Sequence, residues 1–417
     1  MAALRSSLFI ALAISGTVLS ATPAGAIKII LRPDSSFTTT ANGTRALYSI
    51  RKAANYWNTI LSGSDNMQNI NIAVSFEKLS SGSAAITYNN YTSASTRAVY
   101  QALAANAATA LDASAVASLV PLSAAGGLNV IRPVGSDGTL SGSGMKNPVE
   151  GVVDNNNSLN NTYLYTGTAG LKALGFDIGN NTIDSTIKFS SSSFTFDYDP
   201  SNNISYRLDF TAVALHEFGH ALGFESSTDP YDSIVSPNPA LFGYQGESLD
   251  DYQVTRVFDL FRRDAISPDQ IQLTPGEDAI FSIDGATVFE GNGFAAETPT
   301  GTFNGDGYQA SHWKLQSSGF GCAVSKQIGV LAPASEYCKM GAVTANDLAA
   351  FDAMGYNLDF DILQNRDYLF TTADVFRLDG LAAVPEPTTW AMMILGFGFI
   401  GGAMRARTRE RNVRFAA

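Results

Sequence analysis

Two of the three histidines in the chain, His216 and His220, stand in the stretch His216-Glu217-Phe218-Gly219-His220. If this stretch is helical, the i, i+4 spacing puts both imidazoles on one face, one turn apart, close enough to share one Zn²⁺. Neutral imidazoles suit Zn²⁺, and a third protein ligand completes such a site. A carboxylate outside the ligand set can then take the proton of a water as it attacks a carbonyl. Glu217 is the candidate for that base. The chemistry these residue types can do together is metal-assisted hydrolysis of a peptide bond. The competing reading is a structural pair of histidines, which has no use for the glutamate between them.

The element that must position these groups is a buried helix over about 210–222. Leu208, Phe210, Val213, Ala214 and Leu215 lead into the motif, and Ala221, Leu222 and Phe224 continue the apolar run. Gly223 is the expected stop, because a left-handed residue there turns the chain away.

Two histidines do not complete a catalytic zinc site. By elimination the third donor is His312, the only other histidine, in Ala310-Ser311-His312-Trp313-Lys314. Asp229 and Glu247 are the rival donors, although the Gly- and Pro-flanked stretch around Glu247 reads as loop. Taken together, His216-Glu217-Phe218-Gly219-His220-Ala221-Leu222-Gly223-Phe224 and the distant Ser311-His312-Trp313 resemble the leishmanolysin-like metalloproteases, a metzincin group. The resemblance covers about residues 205–357 and ends on the helix-like Asp347–Tyr356. It implies His216, His220 and His312 as zinc ligands and Glu217 as general base. Ser226 stands where the common metzincin pattern has its third histidine. Leu331 or Met340 fills the apolar floor that metzincins build with a methionine.

The ends of the chain carry addresses. Residues 1–26 read as a secretory signal peptide, with Arg5, an apolar stretch from Leu8 to Leu19, and Ala24-Gly25-Ala26. At the other end, Pro385-Glu386-Pro387 precedes an apolar run from Trp390 to Ala403 and then Arg405, Arg407, Arg409 and Arg411. A helix over 388–404 would extend roughly 26 Å, barely a membrane span. The order of parts over 385–417 resembles the PEP-CTERM sorting signal of Gram-negative bacteria. That resemblance implies processing by a membrane-embedded exosortase, and a mature protein at the cell surface or released from it.

Between the two signals, 20 Lys and Arg face 36 Asp and Glu, so the core carries about −16. Nucleic acid is excluded as a partner, because no basic patch is available to displace counterions from phosphate. Cys322 and Cys338 are the only cysteines. In a chain bound for an oxidising compartment they are expected to form a disulfide.

The remaining pattern predicts strands at 27–31, 70–76, 183–189 and 193–198, with Asp184 and Asp197 facing outward. It predicts a helix near Arg51–Leu61, a long Ala-rich helix over Ser95–Ala117, and loop over Gly135–Asn161. Downstream it predicts a hairpin turning at Asp284-Gly285, and a late helix over Thr344–Met354 capped by Thr344. The expected fold is α+β: a metzincin-like catalytic domain with a mixed twisted sheet behind a buried active-site helix, 27–224, and a mixed, loop-rich C-terminal subdomain, 225–384, supplying the third ligand. The expected function is a secreted zinc-dependent endopeptidase acting on protein or peptide substrates. The alternative is a surface or matrix-associated adhesion protein with a structural or inactive metal site.

Overall fold

The computed structural model describes residues 25–64, 68–79, 83–201, 206–316, 327–334 and 337–378. The architecture is mixed α/β, with several small sheets. Its main sheet has four strands in the order Ile29–Pro33, Ile70–Glu77, Ile183–Ser190, Ala85–Asn89. The first three run parallel, and Ala85–Asn89 joins antiparallel at the edge. Ile70, Ile72, Val74 and Phe76 are buried on one central strand, and Ile187 and Phe189 on its neighbour. This is the apolar character that a parallel sheet covered by helices requires.

The helix Gly43–Ile60 extends the predicted one by two turns at its start. Its stripe of Ala46, Ile50, Ala53, Ala54 and Trp57 is buried. That spacing is one face of an α-helix. The stripe lies against the helix Phe210–Ala221, where the Trp57 indole N–H donates to the Leu215 carbonyl at 3.3 Å.

A six-stranded sheet runs Glu297–Thr298, Ala279–Phe281, Arg262–Asp264, Ile271–Gln272, Val130–Pro133, Gly151–Asp154. Its strands come from both sides of residue 224, so the two stretches interlock through shared backbone pairing. Gly151–Asp154 and the short helix Leu159–Thr162 occupy a segment that its Gly, Ser and Asn content marked as loop.

Three other expectations are corrected. The Ala-rich segment is two helices, Thr96–Asn106 and Ala110–Ala117, because Thr109 and Asp112 form a capping box that starts the second. Asp184 and Asp197 do not face outward: both are buried, and Lys172 Nζ reaches the Asp184 carboxylate at 2.7 Å. The hairpin turns at Asn292-Gly293, between Glu290–Gly291 and Phe294–Ala295, and not at Asp284-Gly285. Asp284 does make a local turn, accepting from the Ala286 and Thr287 amides, but the strand before it pairs with Arg262–Asp264 and Glu297–Thr298.

Candidate metal centre

The helix Phe210–Ala221 contains Gly219 and β-branched residues, so its intrinsic propensity is modest. Burial holds it. Phe210, Val213, Ala214, Leu215, Phe218 and Ala221 are all buried, each large apolar side chain being worth about 1.5–3 kcal/mol. Asp209 caps its start by accepting from the Ala212 amide at 3.0 Å. Gly223, at φ +108°, ends it as expected.

His216 and His220 leave this helix on one face, and His312 meets them from 92 residues further along the chain. The three Nε2 atoms lie 3.0, 3.2 and 3.3 Å from one another. Each ring's other nitrogen faces a backbone carbonyl: His216 Nδ1 that of Val330 at 2.9 Å, His220 Nδ1 that of Phe224 at 2.9 Å, and His312 Nδ1 that of Gln309 at 3.2 Å. A carbonyl only accepts, so each Nδ1 carries the proton and each Nε2 presents a lone pair. Three lone pairs therefore converge on one point with no proton between them. That arrangement is unfavourable unless a cation sits among them. Tetrahedral coordination at about 2.0–2.1 Å separates ligand atoms by roughly 3.4 Å, close to what is observed. Burial lowers the pKa of all three imidazoles, that of His220 to about 3, with His216 adding to the shift.

Glu217 is buried beside them. Burial raises its pKa to about 7, opposed by the Thr87 hydroxyl, which donates to Oε2 at 2.5 Å. Thr87 belongs to the edge strand Ala85–Asn89, so the glutamate is held between the histidine helix and the sheet's open edge.

The segment supplying His312 is fixed by residues that were candidates for other roles. Asp229 is outside the three-histidine group; its carboxylate instead accepts from the Ala310 amide at 2.6 Å, the Ser311 amide at 3.0 Å, and the Ser311 hydroxyl. The Ser226 amide donates to the Ser311 hydroxyl at 2.9 Å, so Ser226 also supports the segment. Glu247 is outside the group as well, accepting from the nearby Gln245 amide. Leu331 is fully buried against Gly219 of the histidine helix, whereas Met340 is 41% exposed.

Sequence reasoning missed Asp347. This buried carboxylate accepts from Trp313 Nε1, from the amides of Val330 and Leu331, and from the amide of Thr344. The Thr344–Asp347 spacing was a usable signal, since it completes the capping box of the helix Ala345–Ala353.

Among the described residues, His216, His220 and His312 are the one group placed to hold a metal ion. Comparison with known proteins reaches a different part of the chain. Residues 383–409 are a PEP-CTERM protein-sorting motif. The PEP-CTERM motif implies recognition by exosortase sorting machinery, export, and anchoring at the C-terminus in the course of sorting. No curated protein and no solved structure matches the chain. The PEP-CTERM segment lies outside the described residues, as do the expected anchor helix over 388–404 and residues 1–24 of the expected signal peptide. Among the described residues no helix is long and apolar enough to cross a membrane. Cys338 is disulfide-bonded, and Cys322, its expected partner, lies outside the described residues.

Proposed function

We propose that the chain is an exported, zinc-dependent endopeptidase with a metzincin-like catalytic domain of the leishmanolysin-like group. The observation that carries the reading is the convergence of three Nε2 lone pairs, 3.0–3.3 Å apart, beside the buried carboxylate of Glu217. His216, His220 and His312 would hold Zn²⁺. When bound, zinc polarises a carbonyl and lowers the pKa of a water. The chain's own residues do the rest.

Glu217, raised to about 7 by burial, is poised to accept a proton near neutral pH and return it to the leaving amine. Thr87 orients its Oε2, leaving Oε1 for that exchange. The open edge of Ala85–Asn89 can pair with an extended peptide, bringing a scissile bond alongside Glu217. The adhesion reading, with a structural metal, gives no role to a buried carboxylate in this position, and burying one without a role is costly.

The test is digestion of casein by purified protein, with and without a chelator, beside Glu217→Gln. The expected outcome is zinc in both proteins, chelator-sensitive digestion by the wild type, and loss of nearly all activity in the variant. Digestion by Glu217→Gln at the wild-type rate would sink the peptidase reading.

A further inference from the structure

His312 is shared between the three-histidine cluster and a cavity of about 310 Å³. Phe242, Phe303 and Tyr308 line it, 44%, 49% and 36% exposed, together with Asp229 and Asp232. No lysine or arginine is among its lining residues. The space exceeds any single side chain, and its wall includes a metal-site residue. The first side chain beside a bond held at that site can therefore reach it.

Chemical character decides which side chain it suits. Asp232 is almost fully buried and is held by the amides of Phe303 at 2.7 Å and Asn304 at 2.9 Å, with Asn304 Nδ2 at 2.7 Å. Asp229 is held by the backbone before His312. Both carboxylates are thus fixed in place, and one oxygen of each, Asp229 Oδ1 and Asp232 Oδ2, accepts a single bond and keeps lone-pair capacity. The half-exposed aromatic rings offer faces for an aliphatic stem and, through their quadrupoles, for a cation. An acidic side chain would meet two carboxylates with no lysine or arginine in the lining, the cation that acts on Asp229 being Arg262, outside it.

We propose that this cavity is the specificity pocket of the enzyme and takes a large basic side chain, arginine or lysine, from the residue beside the scissile bond. The proposal rests on the peptidase reading.

It is tested with zinc-loaded protein and fluorogenic peptides that differ at one residue, the cleaved bond being located by mass spectrometry. Arg and Lys peptides are expected to exceed Phe and Leu peptides in kcat/KM by about tenfold, with Asp and Glu peptides slowest. Phe242→Lys, which adds a cation at the exposed rim, is expected to shrink the Arg-to-Phe ratio several-fold. Equal or faster cleavage beside Phe or Leu overturns the pocket assignment and leaves the peptidase reading standing, as does an unchanged ratio in Phe242→Lys. Failure to cleave any peptide overturns both.

Discussion

Trp313 Nε1 donates to Asp347 Oδ1 at 2.8 Å, tying the residue after His312 to a helix that carries no metal-site residue. The other oxygen of the same carboxylate accepts from the Val330 amide at 2.9 Å, and the Val330 carbonyl receives His216 Nδ1. One buried aspartate therefore fixes the backbone behind two of the three imidazoles.

Asp347→Asn would turn an amide N–H₂ toward donors on at least one side, leaving buried N–H groups unpaired at about 1–3 kcal/mol each. A fall in melting temperature of several degrees and weaker zinc binding are expected. Trp313→Phe, which removes one bond, should cost less. Unchanged melting and zinc titration in Asp347→Asn would remove this residue from the account.

The floor under the histidine helix gives a second expectation. A Cβ on Gly219 would stand 2.7 Å from Leu331 Cδ1 and 2.9 Å from Cδ2, in a fully buried contact. Alanine gains up to about 1 kcal/mol of helix propensity. Overpacking costs about 1–3 kcal/mol, so Gly219→Ala should be net destabilising. Leu331→Ala should cost about 2–5 kcal/mol. In the double variant, the alanine at 219 partly fills the space that Leu331 leaves, and the two losses should sum to less than their separate values. Leu331→Met, which conserves volume, should stay within about 1.5 kcal/mol of the wild type. Denaturant titration of the four variants beside the wild type checks this, and strict additivity would refute the contact.

Local features were legible in the sequence. The histidine helix, with its apolar flanks and Gly223, and the late helix with Thr344 as cap are written in a dozen consecutive residues each. What failed depended on partners distant in sequence. Asp184 looks like an outward charge until Lys172 is folded against it. Asp284-Gly285 has turn chemistry, yet Arg262–Asp264 decides where the adjoining strand pairs. Asp347 is an ordinary cap residue until Trp313 and Val330 arrive. His312 was reached only by elimination and resemblance, because nothing around it in sequence points to residues 216 and 220.

Asp209, at the start of the histidine helix, predicts a pH signature. Burial raises its pKa to about 6, against bonds from Thr372, Ala212 and Gly341 that oppose the shift. The folded state then holds a proton that the unfolded chain, titrating near 4, has released. Stability from this group is full below about 4 and lost as pH rises through 6, a change on the order of 3 kcal/mol. Asp209→Asn keeps a capping oxygen and cannot titrate. The stability of the wild type relative to this variant should fall between pH 4 and 6 and level off above, measured by denaturant titration. A constant difference across that range would show that Asp209 does not titrate there.

The last expectation separates a ligand from the residue that holds it. If His312 is the third donor, His312→Ala leaves two imidazoles and should abolish stable zinc binding together with proteolysis. Asp229 touches the support of His312 and not the point where the three imidazoles converge: it fixes Ala310 and Ser311 through two amides and a hydroxyl. Asp229→Ala should therefore keep one zinc per chain while weakening its affinity about 10–100-fold, the range expected when support behind a ligand is lost. Glu247→Ala, whose side chain answers to Gln245 in a separate loop, should bind zinc as the wild type does. Zinc titration against a competing chelator ranks the three. Wild-type affinity in His312→Ala, or complete loss in Glu247→Ala, would mean that the three-histidine geometry is not the site at which the metal is held.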